Sequence, residues 1–197
     1  MRLKELYQIQ KLYFGYEELS RILGITPDSA RVAASRYVAQ GLLLRVRRNL
    51  YVLKERWKNA TVEEKCQIAN VAQGPSYISL TTALAYYELT TQLQRDFFES
   101  IALRRTKEIF VDTSVLKYTK ISKKLYFGFQ KEKHFFIAKP EKALLDAFYL
   151  TSFGRYSLDF SAVERSKLDQ EKVAAMSKFF PLRTKKLLRN HGYLPPT

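Results

Sequence analysis

The segment ITPDSARVAASRYVAQG, residues 25–41, constrains this chain more than any other. Thr26 is placed to cap a helix, and Pro27 takes the first helical position, where its missing N–H costs nothing. Gly41 then stops the helix. On a wheel of about 100° per residue, Ala30, Ala33, Ala34 and Tyr37 share one face. Three of these four are alanines, so a second helix can approach closely. Arg31, Val32, Ser35, Arg36 and Ala39 fall on the opposite face. That face is either a solvated surface with two ordinary arginines or a surface built to meet an anionic, hydrogen-bonding partner.

The flanking residues favour the second reading. Tyr16–Leu23 reads as a short helix with Glu17 and Glu18 in its first turn and Arg21 near its end, as the helix dipole prefers, and Gly24 ends it. An earlier amphipathic helix is expected over residues 2–13, broken at Phe14-Gly15. After Gly41 come two short apolar strands, Leu42–Val46 and Leu50–Leu53, around Arg47-Arg48-Asn49. Asparagine tolerates the left-handed conformation a tight turn demands, so the two arginines are expected at a hairpin tip. Two helices joined by a tight turn and followed by a basic hairpin form a winged helix-turn-helix. In that arrangement one helix reads base edges while the hairpin reaches phosphates or the minor groove. Arginine can pair with guanine O6 and N7, and valine can meet a thymine methyl. The candidate DNA-contacting residues are Ser29, Arg31, Val32, Ser35 and Arg36 on the helix, and Arg45, Arg47, Arg48 and Asn49 on the hairpin.

Charge supports this assignment. The 197 residues carry 34 Lys+Arg against 19 Asp+Glu, a formal net charge of +15. Residues 1–58 hold 12 basic and 5 acidic side chains, residues 59–138 hold 11 and 8, and residues 139–197 hold 11 and 6. The excess is densest where the helix and hairpin lie, and such an excess attracts polyanions in a salt-dependent way. RNA as the partner, or no nucleic acid at all, are the remaining alternatives.

Other features exclude whole classes. A single cysteine, Cys66, leaves no intramolecular disulfide, which suits a reducing compartment, and a cytoplasmic location is expected. MRLKELYQIQ has no apolar core of a signal peptide. The longest uncharged run, Cys66–Tyr87, contains Asn70, Gln73, Gly74 and Pro75 and is not a membrane span. The seven glycines are dispersed and form no phosphate-cradling loop.

Residues 59–197 are expected to form a second domain of mixed α/β structure, making the chain α+β. A linker over 56–74 runs into a helix from about Thr61 to Ala72, with Thr61 and Glu64 as a capping box. A short strand at Ser76–Leu80 and a helix at Thr81–Leu89 follow. SIALRRT, EIFV, VLKYTKI, LYFGFQ and HFFIA, within 100–138, read as strands, close enough in sequence to favour antiparallel hairpins. PEKALLDAFYL, residues 140–150, is a helix apolar on nearly every side and so a buried one. Ser157–Asn190 reads as two or three amphipathic helices ending in Arg183-Thr184-Lys185-Lys186.

Catalytic apparatus is not evident in the sequence. His134 and His191 are far apart and lack metal-type spacing, and neither GxSxG nor CxxC occurs. Asp96 and Glu99 read as a solvated face. Asp146, the one acid inside the apolar helix, has Lys142 one turn before it and is expected to form a structural pair. No catalytic residue, metal or cofactor is assigned.

Three segments, ELSRILGITPDSARVAASRYVAQGLLLRVRRNLYVL, PSYISLTTALAYYELTTQ and FFIAKPEKALLDAFYL, together resemble the AbiEi antitoxins of AbiE-type (type IV) toxin–antitoxin systems. The resemblance runs from about Tyr16 to Leu188. It departs at Asn49, where a glycine is expected. It implies a bacterial or archaeal phage-resistance (abortive-infection) protein encoded beside a nucleotidyltransferase-like toxin. Residues 1–58 would bind inverted repeats in the promoter and repress it, as a monomer in solution that pairs on DNA. Residues 59–197 would neutralise the toxin, with direct contact left open, and could add a basic surface for DNA. The other reading is a protein-directed module, acting on the toxin by binding or by an unrecognised catalytic step, with DNA binding secondary.

Overall fold

The computed structural model describes residues 3–92 and 95–196. Two hydrophobic cores form, and one β-hairpin is the wall between them.

The first core is helical. Helix α1 (Leu3–Leu6) is one turn only. The helix expected over 2–13 therefore stops early, and its first residue, Arg2, lies outside the described residues. Competition for the backbone explains the early stop. Phe14 exchanges two main-chain hydrogen bonds with Tyr51, at 3.0 and 2.9 Å, and that pairing requires extended chain before Gly15. Helix α2 (Tyr16–Leu23) ends at Gly24, whose φ of 60° is left-handed. Helix α3 (Pro27–Ala39) is capped by Thr26, whose hydroxyl accepts the Ser29 N–H at 3.3 Å. Ala30, Ala33, Ala34 and Tyr37 are buried against α2 and the hairpin, as the wheel predicts.

The hairpin consists of β1 (Leu43–Arg47) and β2 (Leu50–Leu53), with a bulge between Arg45 and Arg47. All four residues of β2 are buried, although an isolated hairpin would leave alternate ones wet. Period-2 geometry explains this. Leu43, Tyr51 and Leu53 join the helical core, while Val46, Leu50 and Val52 join the core of the rest of the chain. Helix α4 (Lys54–Lys58) follows directly where a linker was expected, and its Trp57 is only 1% exposed within the second core.

The second core is organised by a six-stranded mixed sheet. Its strands are β3 (Ser76–Ile78), β4 (Phe97–Ala102), β5 (Lys107–Val111), β6 (Ser114–Lys120), β7 (Phe129–Glu132) and β8 (Phe135–Ala138), in the order β5-β6-β4-β3-β8-β7. Three pairings are antiparallel, as expected for neighbouring strands. Pairings β4–β6 and β3–β8 are parallel. The strand expected at LYFGFQ begins only at Phe129, because Lys123–Leu125 forms a 3-10 turn and Gly128 takes a φ of 71°.

Helix α5 (Val62–Ala72), with the full capping box between Thr61 and Glu64, packs on β3, β4 and β8. The Tyr118 hydroxyl donates to the α5 carbonyl of Ala69 at 2.6 Å, marking that face of the sheet. Helices α6 (Leu80–Tyr86) and α7 (Pro140–Ser152) cover the other face, where Tyr77 reaches Asp146 of α7. Helices α8 (Gln170–Ser177) and α9 (Leu182–Asn190) form a further layer on α7, which explains why α7 is apolar nearly all round. Among the described residues no helix is long and apolar enough to cross a membrane.

The expected Lys142–Asp146 pair forms and is fully buried. Asp146 Oδ2 accepts from the Tyr77 and Ser79 hydroxyls, each at 2.9 Å, and Oδ1 accepts from Lys142 Nζ. Lys142 Nζ also donates to the Tyr77 hydroxyl at 2.8 Å and lies over the rings of Tyr77, Phe127 and Phe180. Burial pushes the Asp146 carboxyl up and the Lys142 ammonium down, and their mutual attraction opposes both.

Candidate nucleic-acid interface

Burying the alanine face of α3 turns the other face outward. Ser29, Arg31, Val32, Ser35 and Arg36 are all exposed, Val32 by 68%. An aliphatic side chain this open on a well-packed helix is suited to contact with a partner. The Arg36 guanidinium lies 5.7 Å from the Tyr37 ring centroid. Ser35 donates its hydroxyl to the Arg31 carbonyl at 3.2 Å, and Ser29 shares its hydroxyl with Thr26 at 2.9 Å. The two arginines and Val32 thus carry the free recognition chemistry, while both serines also serve the helix.

Arg45, Arg47 and Arg48 are exposed on the hairpin. Between Ser29 and Lys54 the chain holds six cationic side chains and no acid, so nothing within this stretch neutralises the face.

Asn49 has a different place from the other candidates. Its φ of 54° is left-handed, as the turn requires. Its side chain turns back into the domain. Oδ1 accepts the Tyr16 N–H at 2.6 Å, and Nδ2 lies 3.4 Å from both Glu17 carboxylate oxygens. Gly15, the residue before α2, offers no side-chain cap, so Asn49 caps α2 from 33 residues away. A Cβ on Gly15 would sit 2.8 Å from Asn49 Oδ1, so the glycine makes room for this cap. The Tyr51 and Tyr16 hydroxyls meet at 3.2 Å beside it, and burial pushes the Tyr51 phenol up to about 12.

This predicts an ordered pair of substitutions. Asn49→Gly keeps the backbone but loses the cap, and should cost about 0.5–1.5 kcal/mol. Asn49→Ala loses the cap and also places a Cβ in the left-handed region, adding about 1–2 kcal/mol. Urea unfolding of the three proteins should rank them wild type, Gly, Ala. Equal stability of the Gly and Ala variants would contradict the backbone argument.

Residues outside the first unit extend the cationic surface. Strand β1 packs beside edge strand β5, and Arg47 shares a cleft of about 670 Å³ with Arg104, Arg105 and Lys107. Partial burial, then the nearby Arg105 and Arg47 guanidinium groups, hold Lys107 below the ordinary lysine range. Arg104 and Arg105 were expected inside the strand SIALRRT, but β4 ends at Ala102 and leaves them in the following loop, and nothing local in the sequence connects them to Arg47.

Asp96 and Glu99 do not share a helix. Asp96 sits in a turn and pairs with Lys65 at 2.7 Å. Glu99 lies in β4, buried, and accepts from the Tyr156 hydroxyl at 2.8 Å and the Thr81 N–H at 3.2 Å. Burial pushes its carboxyl up. It borders a polar cleft of about 510 Å³ with Lys117 and Arg155. Cys66 is buried, and burial pushes its thiol well above the usual range. Among the described residues no cluster of His, Cys, Asp and Glu could hold a metal ion.

An arginine-bearing helix, an acid-free hairpin and the cap that joins them define the first unit. Residues 1–54 match the family model for AbiEi antitoxin transcriptional regulators. The match ends at Lys54, the first residue of α4, so it covers the helix-turn-helix and hairpin and leaves the chain from Glu55 onward outside it. The matched segment contains Ser29, Arg31, Val32, Ser35, Arg36, Arg45, Arg47, Arg48 and Asn49, whereas Arg104, Arg105 and Lys107 lie outside it. No curated protein matches the chain.

Proposed function

We propose that this protein is a DNA-binding autorepressor and antitoxin. In this reading α3 enters the major groove of promoter inverted repeats, with Arg31 and Arg36 toward base edges or phosphates and Val32 toward a thymine methyl. Arg47 and Arg48 hold the backbone or minor groove, and Arg104, Arg105 and Lys107 continue the phosphate path. The chain is a monomer in solution and pairs on the repeats. Residues 59–197 neutralise a nucleotidyltransferase-like toxin encoded alongside. The observation that carries the DNA reading is that α3 buries its Ala30–Tyr37 face and, with the hairpin, exposes Val32 and arginines without a single acid between Ser29 and Lys54.

Gel-shift titration of the full chain on its own promoter, at two salt concentrations, tests it. Arg47→Ala with Arg48→Ala should weaken binding to every sequence and lower the salt slope by about one unit, or slightly less, per lost phosphate contact. Arg31→Ala should cost about 1–3 kcal/mol and relax specificity. Unchanged affinity in the hairpin variant would overturn the assignment.

A protein-directed module is the second reading. The family match ends at residue 54, and the residues beyond it build most of the second core; the Glu99–Tyr156 cleft offers a buried carboxyl for a catalytic step. Expressing the toxin from an unrelated promoter separates the two. If the hairpin variant still protects cells there, neutralisation is independent of repression.

A further inference from the structure

Helices α8 and α9 and the tail after them enclose a groove of about 1250 Å³ that the DNA reading does not use. Four cations line it, Arg165, Arg183, Lys186 and Arg189, with no carboxylate among the lining residues. None of the four forms an ion pair among the described residues. Like charges gathered without counter-charge repel one another, and an anionic occupant relieves that repulsion.

Three of these cations are already ordered, Arg189 by donating its Nε–H to the Pro195 carbonyl at 3.3 Å. Arg165 lies 4.5 Å from the Tyr193 ring centroid and donates to the backbone carbonyls of His191 and Gly192. Arg183 lies 5.5 Å from the Phe153 ring centroid. Guanidinium groups held in place lose little entropy when they meet an anion.

Ala174, Leu182, Leu194, Pro195 and Pro196 give the groove an apolar strip, and the neutral amides of Gln170 and Asn190 complete its polar side. Leu182 is 80% exposed, and Phe179, in the turn before α9, is 68% exposed. A nucleic-acid backbone presents only small sugar C–H edges between phosphates, whereas an amphipathic protein segment offers a continuous apolar face to cover such residues. A second copy of this chain, itself at +15, suits the groove poorly.

We infer that the α8–α9 groove docks an acidic, amphipathic segment of a partner protein, leucine-type side chains resting on Leu182 and Leu194 and carboxylates meeting Arg183 and Lys186. The groove is formed by helices that pack on α7, and no residue of the helix-turn-helix or hairpin lines it. Partner docking and DNA binding are therefore separable on one chain.

The test is fluorescence anisotropy of the full chain with a labelled peptide that carries leucines at i, i+3, i+4 and i+7 among glutamates. A second peptide has the leucines replaced by serine. The leucine peptide should bind at least about tenfold tighter than the serine peptide. Arg183→Glu with Lys186→Glu should weaken it at least about tenfold, and Leu182→Ser, an exposed position, should weaken it while leaving melting unchanged. Promoter-DNA affinity of these variants should stay close to wild type. Absent binding, or equal binding of the two peptides, overturns the inference. Loss of promoter binding in the Arg183/Lys186 variant also overturns it, because the groove would then belong to the DNA surface.

Discussion

Asp146→Ala is expected to destabilise the protein by about 3–5 kcal/mol, a large fraction of the stability of a typical domain. The substitution removes the only carboxylate paired with Lys142 among the described residues and strands an ammonium that has no solvent access. It also leaves the Tyr77 and Ser79 hydroxyls without their acceptor. The loss comes from the uncompensated charge and not from the strength of the pair. Replacing both partners with apolar residues, Lys142→Met with Asp146→Leu, should therefore recover most of the stability. Thermal melts of the three proteins check this, together with promoter binding of the double variant. If Asp146→Ala melted like wild type while toxin protection vanished, the acid would have a functional role that the burial argument denies.

Trp57→Ala should cost about 3–5 kcal/mol. Trp57 is buried in the second core, on the helix that leaves the shared hairpin, and Lys65 Nζ lies 5.3 Å from its ring. Because β2 contributes Tyr51 and Leu53 to one core and Leu50 and Val52 to the other, damage at Trp57 should spread to the helix-turn-helix. Calorimetry should show a single transition moved to lower temperature, and promoter binding should fall away along with it. Two separate transitions, with the first unit melting unchanged, would show that the shared wall transmits no stability. For the same reason a fragment ending at residue 58 would expose Val46, Leu50, Val52 and Trp57 to water.

Much of the first unit was legible in the sequence because its rules are short-range. A capping threonine and N1 proline start α3, left-handed Gly24 ends α2, and Asn49 supplies the left-handed turn. The α3 wheel separated buried alanines from exposed arginines because 3.6-residue periodicity acts within one helix. Lys142 and Asp146, four residues apart, were legible as a pair on the same ground.

What the sequence could not settle involves competition between distant segments. The extended backbone at Phe14 wins over continuation of α1 only because Tyr51 is there to pair with it. Asn49 offers its turn conformation locally, but its role as the cap of α2 depends on Gly15 leaving space across the fold. Charge patterning along the chain showed Arg47 and Arg105 as separate basic residues, and the packing of β1 beside β5 places them at one cleft. The parallel joins of β4 to β6 and of β3 to β8 are likewise choices among strands of similar composition, made between segments distant in the chain. Local propensity determined which faces exist and what chemistry each carries. Tertiary packing decided which of those faces are buried and which side chains work within the fold, because burial and hydrogen bonding are settled between segments that the sequence alone does not bring together.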